Sequence, residues 1–315
     1  MKTQTTLKQK SVRGLQLTLG TLATISLIAC GQAPNLSSVN SELMDGQGIV
    51  NGSAVEESDV VSRSTAALYL KFPQGDRVVQ FCTATLIEKR ILTTAGHCLL
   101  AVAQSTGMEV SDMIPHLRVA FGLKKTVVST EESVKFVALK NALVHPEFRL
   151  DALIGANEQT AIPDIAVLQL SEDAPEGYVP ATMLRDEAQL QEGTELILAG
   201  YGLTQAPPVA KQAEELRRID VKILKSKYNP AQFSYEVSEG RSACSGDSGG
   251  PAYLANSAGT GLILAGVTSF GDRQCSNLGV YTSVPAMATW IDETVKGFDA
   301  QENQQPTLVA HGQIL

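Results

Sequence analysis

"CSGDSGGP", residues 244–251, is the stretch on which the reading of the whole chain turns. A serine hydroxyl is a poor nucleophile until a base takes its proton, so Ser248 needs a partner elsewhere. Glycines on either side let backbone come close to a bound molecule. They also allow the turn that aims successive N–H groups at one point, a nest for an anion. The run formally fits Gly-x-Ser-x-Gly, the strand-to-helix elbow of an α/β sheet, in which the acid and the histidine both follow the serine. Only His311 follows Ser248, in a polar tail. The order is wrong for that elbow, so the base lies upstream and the fold is of another class.

Three histidines lie upstream. His116 follows a proline in a polar insert and reads as a surface residue. His145 precedes a proline and reads as a turn residue. His97, in "LTTAGHC", ends an apolar run beside a cysteine. Alone it would be structural; with Ser248 it is the candidate base, since a neutral imidazole near pH 7 suits that task. The remaining need is an acid that fixes the imidazole tautomer. "PDIAVLQL" supplies Asp164 at the head of an apolar strand. A carboxylate there is unfavourable unless paired.

The flanking sequence is strand-rich. "FCTATLIEKRILTTAGHC" alternates around Glu88-Lys89-Arg90 as a hairpin does. "TELILAGYG", "GLILAGVTSF" and "GVYTSV" are further short β-rich runs bounded by glycine. No regular strand-helix alternation is present, which argues against a parallel sheet. "PAMATWIDETVKG", residues 285–297, is the best helix, with Met287, Trp290, Ile291 and Val295 on one face and Gly297 as its stop. By eye the chain has no internal repeat.

Composition is that of a globular protein of 315 residues, 43% hydrophobic and 18% charged. The net charge of -8 and the lack of a basic cluster beyond the first thirteen residues exclude nucleic acid as a partner. Lys2, Lys8, Lys10 and Arg13 precede an apolar run that ends in "LIAC" at Cys30. That is the layout of a signal peptide over 1–29, and its end resembles a bacterial lipobox, with Cys30 lipidated. There are five cysteines: Cys30, Cys82, Cys98, Cys244 and Cys275. Lipidation of Cys30 leaves an even number for an oxidising compartment, with three pairings open. Residues 30–48 read as a tether or propeptide without a core, and 299–315 as a loose tail.

"IVNG", "TAGHC", "DIAVLQL", "CSGDSGGP", "SFG" and "GVYTSV", in that order over 49–298, resemble the chymotrypsin-trypsin family of serine endopeptidases. The resemblance implies an all-β fold of two six-stranded antiparallel β-barrels with a C-terminal helix. The site would lie between the barrels, with the boundary near 186–194. It implies that Ser248 attacks the scissile carbonyl, His97 moves the proton and Asp164 orients His97. Gly246 and Ser248 N–H groups would hold the oxyanion. Ser269 would support Asp164, and 269–271 would pair with extended substrate. Cys82 would bridge Cys98, and Cys244 would bridge Cys275. Neither cofactor nor metal is implied. Tyr201 stands where the family usually has tryptophan. The 67 residues from His97 to Asp164 are longer than usual, which marks 101–116 and 149–163 as surface insertions.

The resemblance also places a substrate pocket. Ser242 would form its floor with Ala243 beside it, and Gly271 and Gly279 its walls. With no acid at the floor and small walls, an open slot for large apolar or aromatic side chains is expected. Cleavage after Gly48 would free the Ile49 amino group to pair with Asp247. Gly48 does not fit a large apolar slot, so an outside activating protease is expected, and the cut would also release the enzyme from a lipid anchor at Cys30. The partners are then protein or peptide substrates, the activating protease and a membrane. The location is the cell envelope, with release to the periplasm or beyond. A catalytically silent binding module and an esterase on the same site are the competing readings.

Overall fold

The computed structural model describes residues 49–72, 77–124, 128–130, 136–255 and 261–304, with backbone alone at 128–130 and 302–304. The signal peptide, Cys30, Gly48 and most of the tail lie outside the described residues. Twelve strands form two barrels. The first holds β1 (Thr65–Lys71), β2 (Arg77–Glu88), β3 (Ile91–Thr94), β4 (Leu117–Phe121), β5 (Phe136–Val144) and β6 (Ala166–Leu170). The second holds β7 (Glu195–Gly200), β8 (Arg217–Asn229), β9 (Gln232–Tyr235), β10 (Pro251–Ala255), β11 (Leu262–Gly271) and β12 (Gly279–Ser283). Every pairing within each barrel is antiparallel.

The first barrel runs β1-β4-β5-β6-β3-β2 and closes through β1–β2; the second runs β7-β10-β11-β12-β9-β8 and closes through β7–β8. By position in each set of six, the two orders are identical. The repeat that the sequence hides is therefore present in the topology.

The expected hairpin forms with Thr85 opposite Thr93 and Leu86 opposite Leu92. All of β6 is buried, as an apolar run between neighbours should be. β8 alternates instead: Ile219, Val221 and Ile223 point inward while Asp220, Lys222 and Leu224 are exposed. One core fills the first barrel and the seam between barrels, and a second fills the other barrel around Leu198, Ile219, Phe233 and Tyr281.

Two phenols cross the seam. Tyr253 Oη lies 2.9 Å from Ser64 Oγ and 3.1 Å from Thr65 Oγ1, and Tyr201 Oη donates to Gly122 O at 2.8 Å. Helix α1 (Gly96–Thr106) follows β3, and helix α2 (Val284–Gln304) packs across β6 and β11. Gly297 does not end α2: its missing Cβ faces open space and the helix continues to Gln304. The changeover between barrels also lies earlier than 186–194. Ala181 N–H still bonds Leu86 O at 2.9 Å, whereas Thr182–Met183 already pairs with β11.

The insertions are only partly surface features. Residues 101–116 extend α1 and then bury Met113 completely in the first core. Residues 149–163 carry a short helix, Asp151–Ile154, with Ile154 exposed. Among the described residues no helix is long and apolar enough to cross a membrane.

Candidate active site

The end of β3 passes through Ala95 into α1, which places His97 in the helix's first turn. N–H groups there have no partner within the helix. Asp164, two residues ahead of β6, supplies one: His97 N–H donates to Asp164 Oδ1 at 2.8 Å. The other carboxylate oxygen meets the ring, with His97 Nδ1 and Asp164 Oδ2 2.7 Å apart. Asp164 thus fixes His97 at two points and satisfies the helix end with the same group. Ser269 Oγ adds a third bond to Oδ2 at 2.7 Å. Asp164 is fully buried with no surface exposure, where a carboxylate is tolerated only when its lone pairs are satisfied.

The support goes further than the sequence reading placed it. Gln232 Nε2 donates to Ser269 Oγ at 3.0 Å, Asn229 Nδ2 donates to Gln232 Oε1 at 2.7 Å, and Ala231 N–H donates to Asn229 Oδ1 at 2.9 Å. Thr282 Oγ1 donates to the Asp164 carbonyl at 2.9 Å. Asn229, Gln232 and Thr282 are all buried. Asn229 ends β8, Gln232 opens β9 and Thr282 lies in β12, so only the pairing of these strands brings the three together.

Ser248 reaches the same place from the second barrel. Its carbonyl accepts Thr83 N–H of β2 at 2.8 Å. The sulfur of Cys98 lies 3.6 Å from that carbonyl and 4.0 Å from His97 Nε2. Ser248 is 4% exposed and His97 3%. Gly249 is required at this crossing: with φ of +78°, its Cβ would lie 2.0 Å from Thr94 Oγ1 and 2.5 Å from Thr83 O. Gly246 has φ of +95°, and its carbonyl accepts Thr83 Oγ1 at 2.9 Å. Both bridges form, Cys82–Cys98 beside His97 and Cys244–Cys275 beside the nucleophile loop. Cys82, His97 and Cys98 are close enough to suggest a metal cluster. Their sulfurs are bonded to each other and His97 Nδ1 is held by Asp164, so the group offers no thiolate ligand.

Ile49 is fully buried in the second core, and Val50 pairs with Ser242 through bonds of 3.0 and 3.3 Å. Asp247, also buried, accepts N–H bonds from Cys244 at 2.9 Å and Gly202 at 2.8 Å. Burial pushes its pKa up to about 7, against those two donors.

The pocket departs from expectation. Ser242, Ala243 and Gly279 all lie against Tyr235. Tyr235 is in between, its ring against Gly279 and its hydroxyl 2.7 Å from Ser242 Oγ. The serine floor and glycine wall expected from the sequence thus face a tyrosine ring.

Residues 49–291 match the family model described as Trypsin. Human serine protease 1 is 25% identical over 225 residues, covering 68% of this chain and 80% of its own. Human kallikrein-9 is 29% identical over 229 residues, with 69% and 81% covered. Trypsin 5G1 of Aedes aegypti is 28% identical over 231 residues, with 68% and 74% covered.

Proposed function

The chain belongs to the trypsin family, and on that premise we propose that it is an exported serine endopeptidase made as a precursor. Ser248 Oγ attacks the scissile carbonyl while His97 Nε2 takes its proton. N–H groups of Gly246 and Ser248 hold the oxyanion, a contribution of roughly 10²–10³ in kcat per donor. His97 then passes the proton to the leaving amine, and water repeats the sequence to release the acid. The observation that carries this reading is the fully buried Asp164, bonded to both His97 N–H and His97 Nδ1.

A serine-directed phosphonate tests it. Labelling at Ser248, lost in Ser248→Ala, is the expected result. An unlabelled, correctly processed chain would favour the silent binding module instead. Comparing peptide with ester turnover separates a peptidase from an esterase.

Cleavage after Gly48 is the activation step in this reading. The new Ile49 ammonium would pair with Asp247, whose burial favours such a partner. Removing one member of a buried pair costs about 3–5 kcal/mol. Two disulfides fit an oxidising compartment. Lipidation of Cys30, anchorage of the precursor and release on cleavage rest on the "LIAC" motif alone. Loss of lipid labelling in Cys30→Ala is the expected result there.

A further inference from the structure

Tyr235 on β9 lies directly opposite Gly279 on β12, so the two positions share one face of the sheet. A Cβ on Gly279 would fall 1.8 Å from Tyr235 Cε1, 2.2 Å from Cζ and 2.5 Å from the hydroxyl oxygen. The ring therefore occupies the volume that a glycine at this wall would otherwise leave open. Its hydroxyl accepts Ala243 N–H at 3.0 Å and lies 2.7 Å from Ser242 Oγ. Tyr281 packs edge-on at 5.7 Å. Tyr235 is 1% exposed, so it is fixed between floor and wall. On the other side, a Cβ on Gly271 would meet Leu278 O at 2.5 Å.

From these contacts we infer that Tyr235 sets the specificity of the site by closing its pocket, so that the residue before the scissile bond must be glycine or alanine. The inference rests on the endopeptidase reading and names its substrate class. The chain itself carries a residue of that class at the activation bond, Gly48 before Ile49. The first substrate is thus a second copy of the precursor. Ser248 Oγ of an active copy bonds to the Gly48 carbonyl carbon, and the Gly48–Ile49 C–N bond breaks. His97 carries the serine proton to the departing Ile49 amine. Water then hydrolyses the acyl-enzyme, leaving a Gly48 carboxylate and free Ser248.

Two phosphonate probes that differ only in carrying an alanine or a phenylalanine side chain test this on enzyme processed at Ile49. The alanine probe should label Ser248 at least about tenfold faster, the scale on which a hydrophobic pocket discriminates by size. Tyr235→Ala should reverse the ratio, whereas Tyr235→Phe, which keeps the ring, should preserve it. A wild-type enzyme that reacts faster with the phenylalanine probe overturns the inference and leaves the endopeptidase reading intact. Labelling by neither probe sinks both. In a second arm, Ser248→Ala precursor is mixed with active enzyme. A product beginning at Ile49 is expected, and precursor left intact overturns self-processing.

Discussion

Both oxygens of Asp164 are taken, one by His97 N–H and the other by the imidazole and Ser269. Asp164→Asn would turn an amide NH2 toward groups that themselves donate. It should lower kcat by roughly 10⁴ with the fold intact, as wrong-tautomer substitutions do in Ser-His-Asp sites; steady-state peptide turnover and circular dichroism check the two halves. Gln232 stands one bond further out, donating to Ser269 Oγ. Gln232→Leu strands the amide of Asn229 and frees the Ser269 hydroxyl from its donor. The expected cost is about 1–3 kcal/mol in urea unfolding, with a smaller loss of kcat than in Asp164→Asn. The sequence marked Ser248, His97 and Asp164 as candidates because their residue types make little sense apart. It did not disclose Asn229, Gln232 or Tyr235. Their roles depend on which strands pair, and the polar-apolar alternation of β9 does not say which strands flank it. Tyr235 in particular lies outside every motif, yet it decides what two well-placed glycines can accept.

Among elements, the loop after β11 shows how a short segment holds its shape. Asp272 accepts backbone N–H bonds from Gln274, Ser276, Asn277 and Leu278. Partial burial works to raise its pKa, but the donors from Asn277, Leu278, Ser276 and Gln274 together outweigh it and hold the pKa below the ordinary carboxylate value. The folded pKa lies below the unfolded one, so the contribution to stability is present above about pH 4 and fades as pH falls through the folded value. Asp272→Ala should therefore be less stable at pH 7 and approach wild type toward pH 2, by chemical unfolding at each pH. The difference should stay under about 1 kcal/mol because the group is only part-buried and solvent screens it. The adjoining Cys244–Cys275 bridge closes a longer loop, with 31 residues of separation, and its removal should cost about 3–4 kcal/mol. Strands flanked by glycine were readable, and so was the start of α2. The end of α2 was not, since an exposed glycine inside a helix costs only about 1 kcal/mol, which packing of Ile291, Val295 and Phe298 offsets. β8 alternates clearly in retrospect, yet it lies in a charged stretch without a turn signal at its head.

At the scale of the molecule, the two barrels share one pairing order and meet across buried phenols. Tyr253→Phe removes a hydroxyl that bridges Ser64 and Thr65 and should lower stability by about 1–2 kcal/mol, seen as a reduced Tm. A second expectation concerns the precursor as a whole. Asp247 has a folded pKa of about 7, raised by burial above the ordinary carboxylate value. Its protonated form is the one folding favours, so this contribution is full below about pH 4 and is lost as pH rises through 7. Once Ile49 is free, an ammonium with pKa of about 8 would reverse that trend up to its own titration. From pH 5 to pH 7.5 the precursor should thus lose stability that the processed enzyme keeps, by chemical unfolding at each pH. The division of the site has a practical outcome as well. His97 and Asp164 belong to one barrel, Ser248 and Ser269 to the other, and the chain between them runs exposed through Glu176 and Gly177. A nick at that point would yield two fragments that are each silent alone. Recovered peptide hydrolysis would then report their reunion, making the molecule a complementation sensor with its own readout.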